Sequence, residues 1–501
     1  MASIASFRRR LKEQAAISIS DSKWLSAGLV EDICRTVGHR GRKCFWTPAL
    51  TALTFLRQIL HGNCACRHAV AMSLDQAIAF GGAGDRARGA DAASGETQAE
   101  RIETQADRMS GDPSAFVQAR ARLSLAWFAE LHRRMADSVR ARVADARRWC
   151  GRRVYIVDGS TLSMPDTPEL QRTFGQPYGQ KPGCGFPQAR LTAVFCHASG
   201  ALLDLAADSH RVSEQTLLRR MLSRLQPGDV ILADRGFHGY AGLVDFVRRG
   251  LDVVMRLNEG AWPDLRHLRR LSKDDQIAVW HRPQARPRRL SRQEWDQIPE
   301  TMTVRLVRYR VSTPGFRSRR VELLTTLLDD RTFSADDLAG LYRDRWLAEL
   351  NLRGLKTTLG MDVLKGKTSD IIHKEVFMYA VAYNLIRGLM WQAATDHDCD
   401  PARLSLAGTQ QRVLAMLPYL ALNHSTHGNR LNQSARGKQL NQSTHGNRRL
   451  VQRLLKSIAA DPLPFRPNRI EPRAVKRRPK SYVPLSITRA RYRRFLKSHA
   501  A

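Results

Sequence analysis

YRDRWLAELNLRGLK, residues 342–356, decides how this chain is read. Taken as one helix at about 100° per residue, Arg345, Glu349 and Lys356 fall at about 300°, 340° and 320° from Tyr342, an arc of about 60°. A core-facing stripe would carry apolar residues there. A carboxylate flanked by two cations and a phenol fits a phosphodiester site with a metal ligand at its centre, although a charged run on its own is more often a solvated face. The helix is expected to start at Ser334, where Ser334-Ala335-Asp336-Asp337 is a capping-box-like start with Asp in place of the usual Glu, and to end near Gly360.

Composition favours the phosphate reading. The 501 residues hold 81 Lys and Arg against 47 Asp and Glu, a formal charge of +34. An enzyme of small neutral molecules has no use for such an excess, and its natural partner is a polyanion. The guanidinium fork of Arg matches phosphate oxygens at two points. With 43% hydrophobic residues the chain can bury a large core in several domains. Cys64-Ala65-Cys66 has His61 and His68 nearby, but no second ligand pair follows at zinc-finger spacing, so the eight Cys residues read as thiols. No secretory signal and no bilayer-length apolar run are evident, so the expected setting is the reducing cytoplasm, without a membrane partner.

Working outward, residues 1–150 read as a helical N-terminal region, either a DNA-end reader or a packing domain, with an apolar-poor connector from Gly81 to Asp112. From Arg152 the texture becomes β-β-β-α-β-α-β: strands at Val154–Val157, Leu191–Cys196 and Ala201–Leu205, a helix over 214–225, a strand Val230–Ala233, a helix over 240–249 and a strand Asp252–Leu257. A β-rich stretch follows, and then the helix of Glu349. A further apolar helix, Val376–Met390, should pack beside it. The catalytic domain is expected to span 151–400. A C-terminal region, 401–501, carries a polar duplication at 422–448, read as an expanded loop, and basic runs at 473–480 and 489–494 suited to backbone phosphates.

Asp158 and Asp234 each stand at the end of an apolar strand, where side chains project into the crevice above a sheet. One such Asp is commonly a turn former. Two of them, with Glu349 on a third element, can hold two magnesium ions about 4 Å apart, one to activate the attacking hydroxyl and one to stabilise the leaving oxygen.

The Asp158-Gly-Ser-Thr start, the Ala233-Asp234-Arg-Gly-Phe237 segment and the Y-(2)-R-(3)-E-(6)-K spacing resemble the DDE transposases of the bacterial insertion-sequence-four family over about Arg152 to Met390. The resemblance implies an α/β ribonuclease H-like core with a β-rich insertion at about 258–321. It matches Asp158, Asp234 and Glu349 to a triad binding two Mg²⁺ ions, for which Mn²⁺ can substitute. It matches Tyr342, Arg345 and Lys356 to residues that hold the transposon end and a displaced base. Arg256, at the end of the fifth strand, is a further phosphate contact, and Trp262, Trp280 and Trp295 are candidates for stacking the base. His238 is either a partner behind the metal ligands or a helix cap. The implied chemistry is cut-and-paste on double-stranded DNA: water attack frees a 3′ hydroxyl, a hairpin forms and reopens, and strand transfer follows. The implied partners are the terminal inverted repeats of its own element and a target DNA, met by a homodimer at the nucleoid. Two alternatives stand beside this: a ribonuclease H-like nuclease or resolvase, which has no need of a displaced-base clamp, and a domesticated DNA-binding protein, which has no need of three carboxylates.

Overall fold

A computed structural model describes residues 27–40, 46–73, 113–142, 147–257, 265–287, 290–311, 319–427, 439–464, 482 and 485–499. These fall into two compact units, a helical one from Met1–Val139 with Gly354–Lys480, and a sheet-based one from Arg140–Arg353 with Ser481–Ala501. The helical unit begins with α1 (Ala27–Thr36), α2 (Pro48–Leu60), α3 (Ser114–Arg122) and α4 (Leu125–Arg140). Thr47 caps α2 by accepting from the Leu50 amide, with Pro48 at the first helical position, where its missing N–H costs nothing.

The sheet unit is built on β1 (Val154–Ser163), whose first four residues are fully buried because both faces of the strand are covered. After the short α5 (Pro168–Thr173), β2 (Gln188–Cys196) and β3 (Leu202–Ser209) pair antiparallel in succession beside β1. The helix α6 (Glu214–Met221) leads back to β4 (Val230–Ala233), parallel to β1, and α7 (Tyr240–Arg248) leads to β5 (Asp252–Arg256), parallel to β4. Leu218 and Met221 of α6 and Leu243, Val244 and Phe246 of α7 pack on Tyr155, Val157, Ile231, Ala233, Val253 and Met255. Each side chain so buried contributes about 1.5–3 kcal/mol, which fixes these strands and therefore the residues at their ends.

Where the sequence reading set a β insertion, four further strands extend the same sheet. The strands β6 (Leu265–Arg270), β7 (Asp275–His281), β8 (Thr301–Val311) and β9 (Arg319–Thr325), with α8 (Arg292–Asp296) between β7 and β8, join through β9 to β5. The full order is β3-β2-β1-β4-β5-β9-β8-β7-β6. The insertion is held by a buried ion pair in which Arg305 reaches Asp275 at 2.8 and 2.6 Å and donates to the Phe333 carbonyl at 2.7 Å.

Ser334 and Asp337 form the expected capping box and open α9 (Ala335–Arg343). The single helix read from Ser334 to Gly360 is broken. The chain turns at Asp344 and Arg345 and restarts as α10 (Trp346–Arg353), and Gly354–Thr358 follow as a π-helical turn. Tyr342, Glu349 and Lys356 therefore lie on three segments, and the common arc expected of them does not apply.

That turn opens the second part of the helical unit, with α11 (Ser369–Asp396), α12 (Leu406–His427) and α13 (Gln439–Ala459). The sequence reading placed 354–400 in the catalytic domain, whereas these residues pack with the N-terminal helices. The cause is α11, whose buried residues lie all round the helix, so that it needs neighbours on several sides. Among the described residues no helix is long and apolar enough to cross a membrane. The connector at 81–112, Trp262, the basic run 473–480 and the middle of the duplication at 428–438 lie outside the described residues. Of the second basic run, Arg489 is engaged within the sheet unit. It pairs with Asp166 and donates to the carbonyls of Gly183 at 2.7 Å and Gly185 at 2.6 Å.

Candidate active site

The parallel ladder between β1 and β4 ends at the pair Val157 and Ala233, so Asp158 and Asp234 are the next residues on two adjacent strands. β4 stops there, and Asp234 caps a 3-10 turn by accepting from the Gly236 amide at 2.8 Å. β1 continues past Asp158, which differs from the expected strand end. Its antiparallel pairing with β2 runs on to Ser163, and Asp158 accepts from the Gly159 amide at 2.8 Å. Glu349 stands in the first turn of α10, which packs on β1, and Arg345 donates to it at 2.7 Å. In each carboxylate the second oxygen accepts no hydrogen bond from a described residue.

Burial raises the pKa of Asp158, the Gly159 amide and the Arg345 charge oppose that rise, and the charges of Asp234 and Glu349 add to it. The three carboxylates thus face one another electrostatically. They do not form a closed cage: among the described residues no three His, Cys, Asp or Glu side chains gather tightly enough to enclose an ion. Each is turned to its own local donor, Gly159, Gly236 or Arg345. The donor set nevertheless has the chemistry a hard divalent cation takes, carboxylate oxygens with lone pairs to spare.

Of the cationic flank, Arg345 and Arg256 lie in the sheet unit and Lys356 in the helical one. Arg345 loses affinity for its proton through burial but gains more from Glu349, Tyr342 and Asp158, so its pKa is raised. Burial pushes the Tyr342 hydroxyl up to about 12, with Asp234 adding to the rise against Arg345 and Arg256, so the phenol is a protonated donor at neutral pH. Arg256, the last residue of β5, is brought close to Tyr342 and Tyr309. Lys356 belongs to the helical unit, half-buried on its π turn.

The aromatic candidates fare worse. Trp280 is buried in the core, its ring stacked on His238 at 5.1 Å and met edge-on by Tyr240. Trp295 is buried, with Arg282 over its ring. Neither can receive a base. His238 packs against Trp280, and burial lowers its pKa. The exposed indole in this region is Trp346, on α10 one turn before Glu349, with 51% of its surface open. The sequence reading did not single it out, and it stands directly after the break at Arg345. The other omission is Glu214, at the start of α6, which is set close enough to Asp158 and Asp234 to feel both charges.

Asp158 and Asp234 side by side on adjacent strands, with Glu349 in electrostatic reach of Asp158 beside Arg345 and a protonated Tyr342, are the kinds of group that phosphodiester chemistry uses. Residues 149–385, just under half of the chain, match the family model of the transposase DDE domain, and this region is that of a DDE-type nuclease and transposase enzyme. Over 385 residues it is 26% identical to the transposase InsG for insertion sequence element IS4 of Escherichia coli (strain K12), an alignment covering 74% of this chain and 78% of that protein. The family model and this relative agree with the family resemblance drawn from the sequence. A solved structure, that of a piggyBac transposase synaptic complex with hairpin DNA, is similar at 7% identity and a TM-score of 0.33 over 62% of this chain and 57% of that one, a likeness too loose to carry an argument.

Proposed function

We propose that this transposase moves its own insertion sequence by a cut-and-paste route, using a ribonuclease H-like core in which Asp158, Asp234 and Glu349 hold two divalent cations, Mg²⁺ or Mn²⁺. The observation that carries the proposal is the register of β1 and β4. It sets Asp158 and Asp234 side by side one residue beyond their last parallel pair, with Glu349 in electrostatic reach of Asp158. The order β3-β2-β1-β4-β5, antiparallel up to β1 and parallel beyond it, supports the ribonuclease H-like reading.

When bound, the cations supply the activated attacking hydroxyl and the charge stabilisation at phosphorus that hydrolysis and strand transfer require. The protein's own groups do the positioning. Arg345 fixes the rotamer of Glu349 through their 2.7 Å bond, which limits the carboxylate to one approach. Tyr342, kept protonated by burial, offers a hydrogen bond to a phosphate oxygen, and Arg256 adds positive charge beside it. Lys356 makes a separate phosphate contact. Trp346 presents an open indole to a base, which is where stacking gains most. Nicking, hairpin formation, hairpin opening and strand transfer all act on one phosphodiester type, so a single set of carboxylates serves each. Joining two ends calls for two copies of the chain, hence a homodimer on paired terminal inverted repeats and a target DNA, in the cytoplasm at the nucleoid.

Glu349→Gln keeps size and hydrogen bonding while removing the charge that holds a cation. With a labelled DNA fragment ending in the terminal repeats that flank the gene, end binding should persist and strand cleavage should fall by several orders of magnitude. Unchanged nicking in Mg²⁺ would refute the assignment.

A further inference from the structure

Gly159 follows Asp158 in β1 and pairs with Thr192 of β2, in the middle of a regular antiparallel ladder. Its backbone does not need glycine, since it does not have the positive φ that sets Gly175 or Gly183 apart. Its missing side chain is what matters. A Cβ built at Gly159 would lie 2.2 Å from Cδ of Glu214 and 2.4 Å from each carboxylate oxygen. The carboxylate of Glu214 therefore occupies the space a side chain at residue 159 would fill, and glycine in a strand interior commonly marks such an approach.

We propose that Glu214 is a fourth carboxylate of the catalytic centre, set on Gly159 to face the cation that Asp158 and Asp234 hold. This rests on the metal-dependent reading above. A glutamate at the first position of a helix has an ordinary explanation, its favourable interaction with the helix dipole, worth about 0.3–1 kcal/mol. That explanation asks only for a carboxylate near its own helix end. It does not account for one laid over a neighbouring strand, half-buried, with two aspartates in range and no hydrogen bond or ion pair to any described residue.

The start of α6 is also fastened to each neighbouring strand. Thr192 of β2 donates to the Glu214 carbonyl at 3.4 Å, and the Gln215 amide donates to the carbonyls of Gly236 and His238 at 3.1 and 3.2 Å, in the turn that Asp234 caps. The helix end is thus tied to the Asp234 turn, while Gly159 ties it to Asp158. Burial raises the pKa of Glu214, Arg190 opposes the rise, and Asp234 and Asp158 add to it. Like charges held this close, with the Arg190 charge offsetting only part of the rise, are costly unless a cation is shared among them.

The test is Mn²⁺ binding to the full-length protein, read by the electron paramagnetic resonance of free Mn²⁺, with melting temperature and DNA-end binding followed in parallel. Glu214→Gln is expected to keep its fold and its end binding while Mn²⁺ affinity falls by about tenfold or more. Gly159→Ala, which alters no charge, is expected to weaken Mn²⁺ binding by crowding the carboxylate aside, and to add little in a Glu214→Ala background, because both changes act through one side chain. Glu214→Gln binding Mn²⁺ like the parent, while Asp158→Asn loses it, would overturn the role of Glu214 and leave the metal site standing. A parent protein that binds no Mn²⁺ would overturn both.

Discussion

Two groups of charges in this chain, those of α11 in the helical unit and the carboxylates at the end of the β1–β4 ladder in the sheet unit, are treated in opposite ways. In the helical unit Glu375 of α11 is almost wholly buried and accepts from the amides of Lys365 at 2.9 Å and Gly366 at 3.1 Å and from the Asn63 side chain at 3.3 Å. Beside it Lys374, also buried, pairs with Asp370 at 2.6 Å and donates to the carbonyls of Ala121 at 3.0 Å and Arg120 at 3.3 Å. These charges are satisfied, and their bonds tie α11 to α3 and to the loop after α2. In the sheet unit Asp158, Asp234 and Glu214 are half-buried and share their neighbourhood with one another, and each keeps at least one oxygen unengaged by the described residues. The same residue type is a staple where its lone pairs are filled and a functional group where they are not. The two groups differ in burial as well, but it is the census of partners that assigns the role.

The contrast breaks most visibly through Glu375→Ala. Three donors would lose their acceptor at about 1–3 kcal/mol each, so a destabilisation of about 3 kcal/mol or more is expected from chemical unfolding, with cleavage by the remaining folded protein unchanged. A loss of cleavage without loss of stability would erase the distinction. Arg345→Ala is the intermediate case. Glu349 is 63% exposed, so losing this pair should cost stability about 0–1 kcal/mol or less, while a Glu349 free to rotate should slow cleavage by about 10–100-fold. Equal cleavage rates would deny Arg345 its positioning role. The smallest effect is expected for Lys356→Ala: a salt dependence of end binding lower by about one phosphate contact, and hairpin formation on a pre-nicked end slowed more than first-strand nicking. Parallel changes in both steps would return Lys356 to a solvated face.

Much of the sheet unit was legible in the sequence, because its parallel strands are buried on both faces and read as unbroken apolar runs. Val154–Val157 and Val230–Ala233 announce themselves in this way, and the Asp after each follows. What escaped was geometry that periodicity does not encode. The break at Arg345 interrupts a run with good helical spacing, and so Trp346 was not seen to be exposed. The burial of Trp280 depends on α7 and the insertion meeting across the sheet, a tertiary contact with no local signal. Glu214 was invisible for the same reason: its partner is an absent side chain 55 positions earlier, and only the pairing of β1 with its neighbours brings Gly159 beneath it.

If Asp158 and Asp234 act by holding a divalent cation, a ligand swap shows it most directly. Asp234→Cys replaces a hard oxygen with a softer sulfur, which Mg²⁺ disfavours and Mn²⁺ tolerates better. Cleavage of a labelled transposon end should be lost by this variant in Mg²⁺ and recovered in part in Mn²⁺, while the parent works in both. Equal cleavage by parent and variant in Mg²⁺, or a loss that Mn²⁺ leaves untouched while end binding stays intact, would contradict a metal-holding role for Asp234.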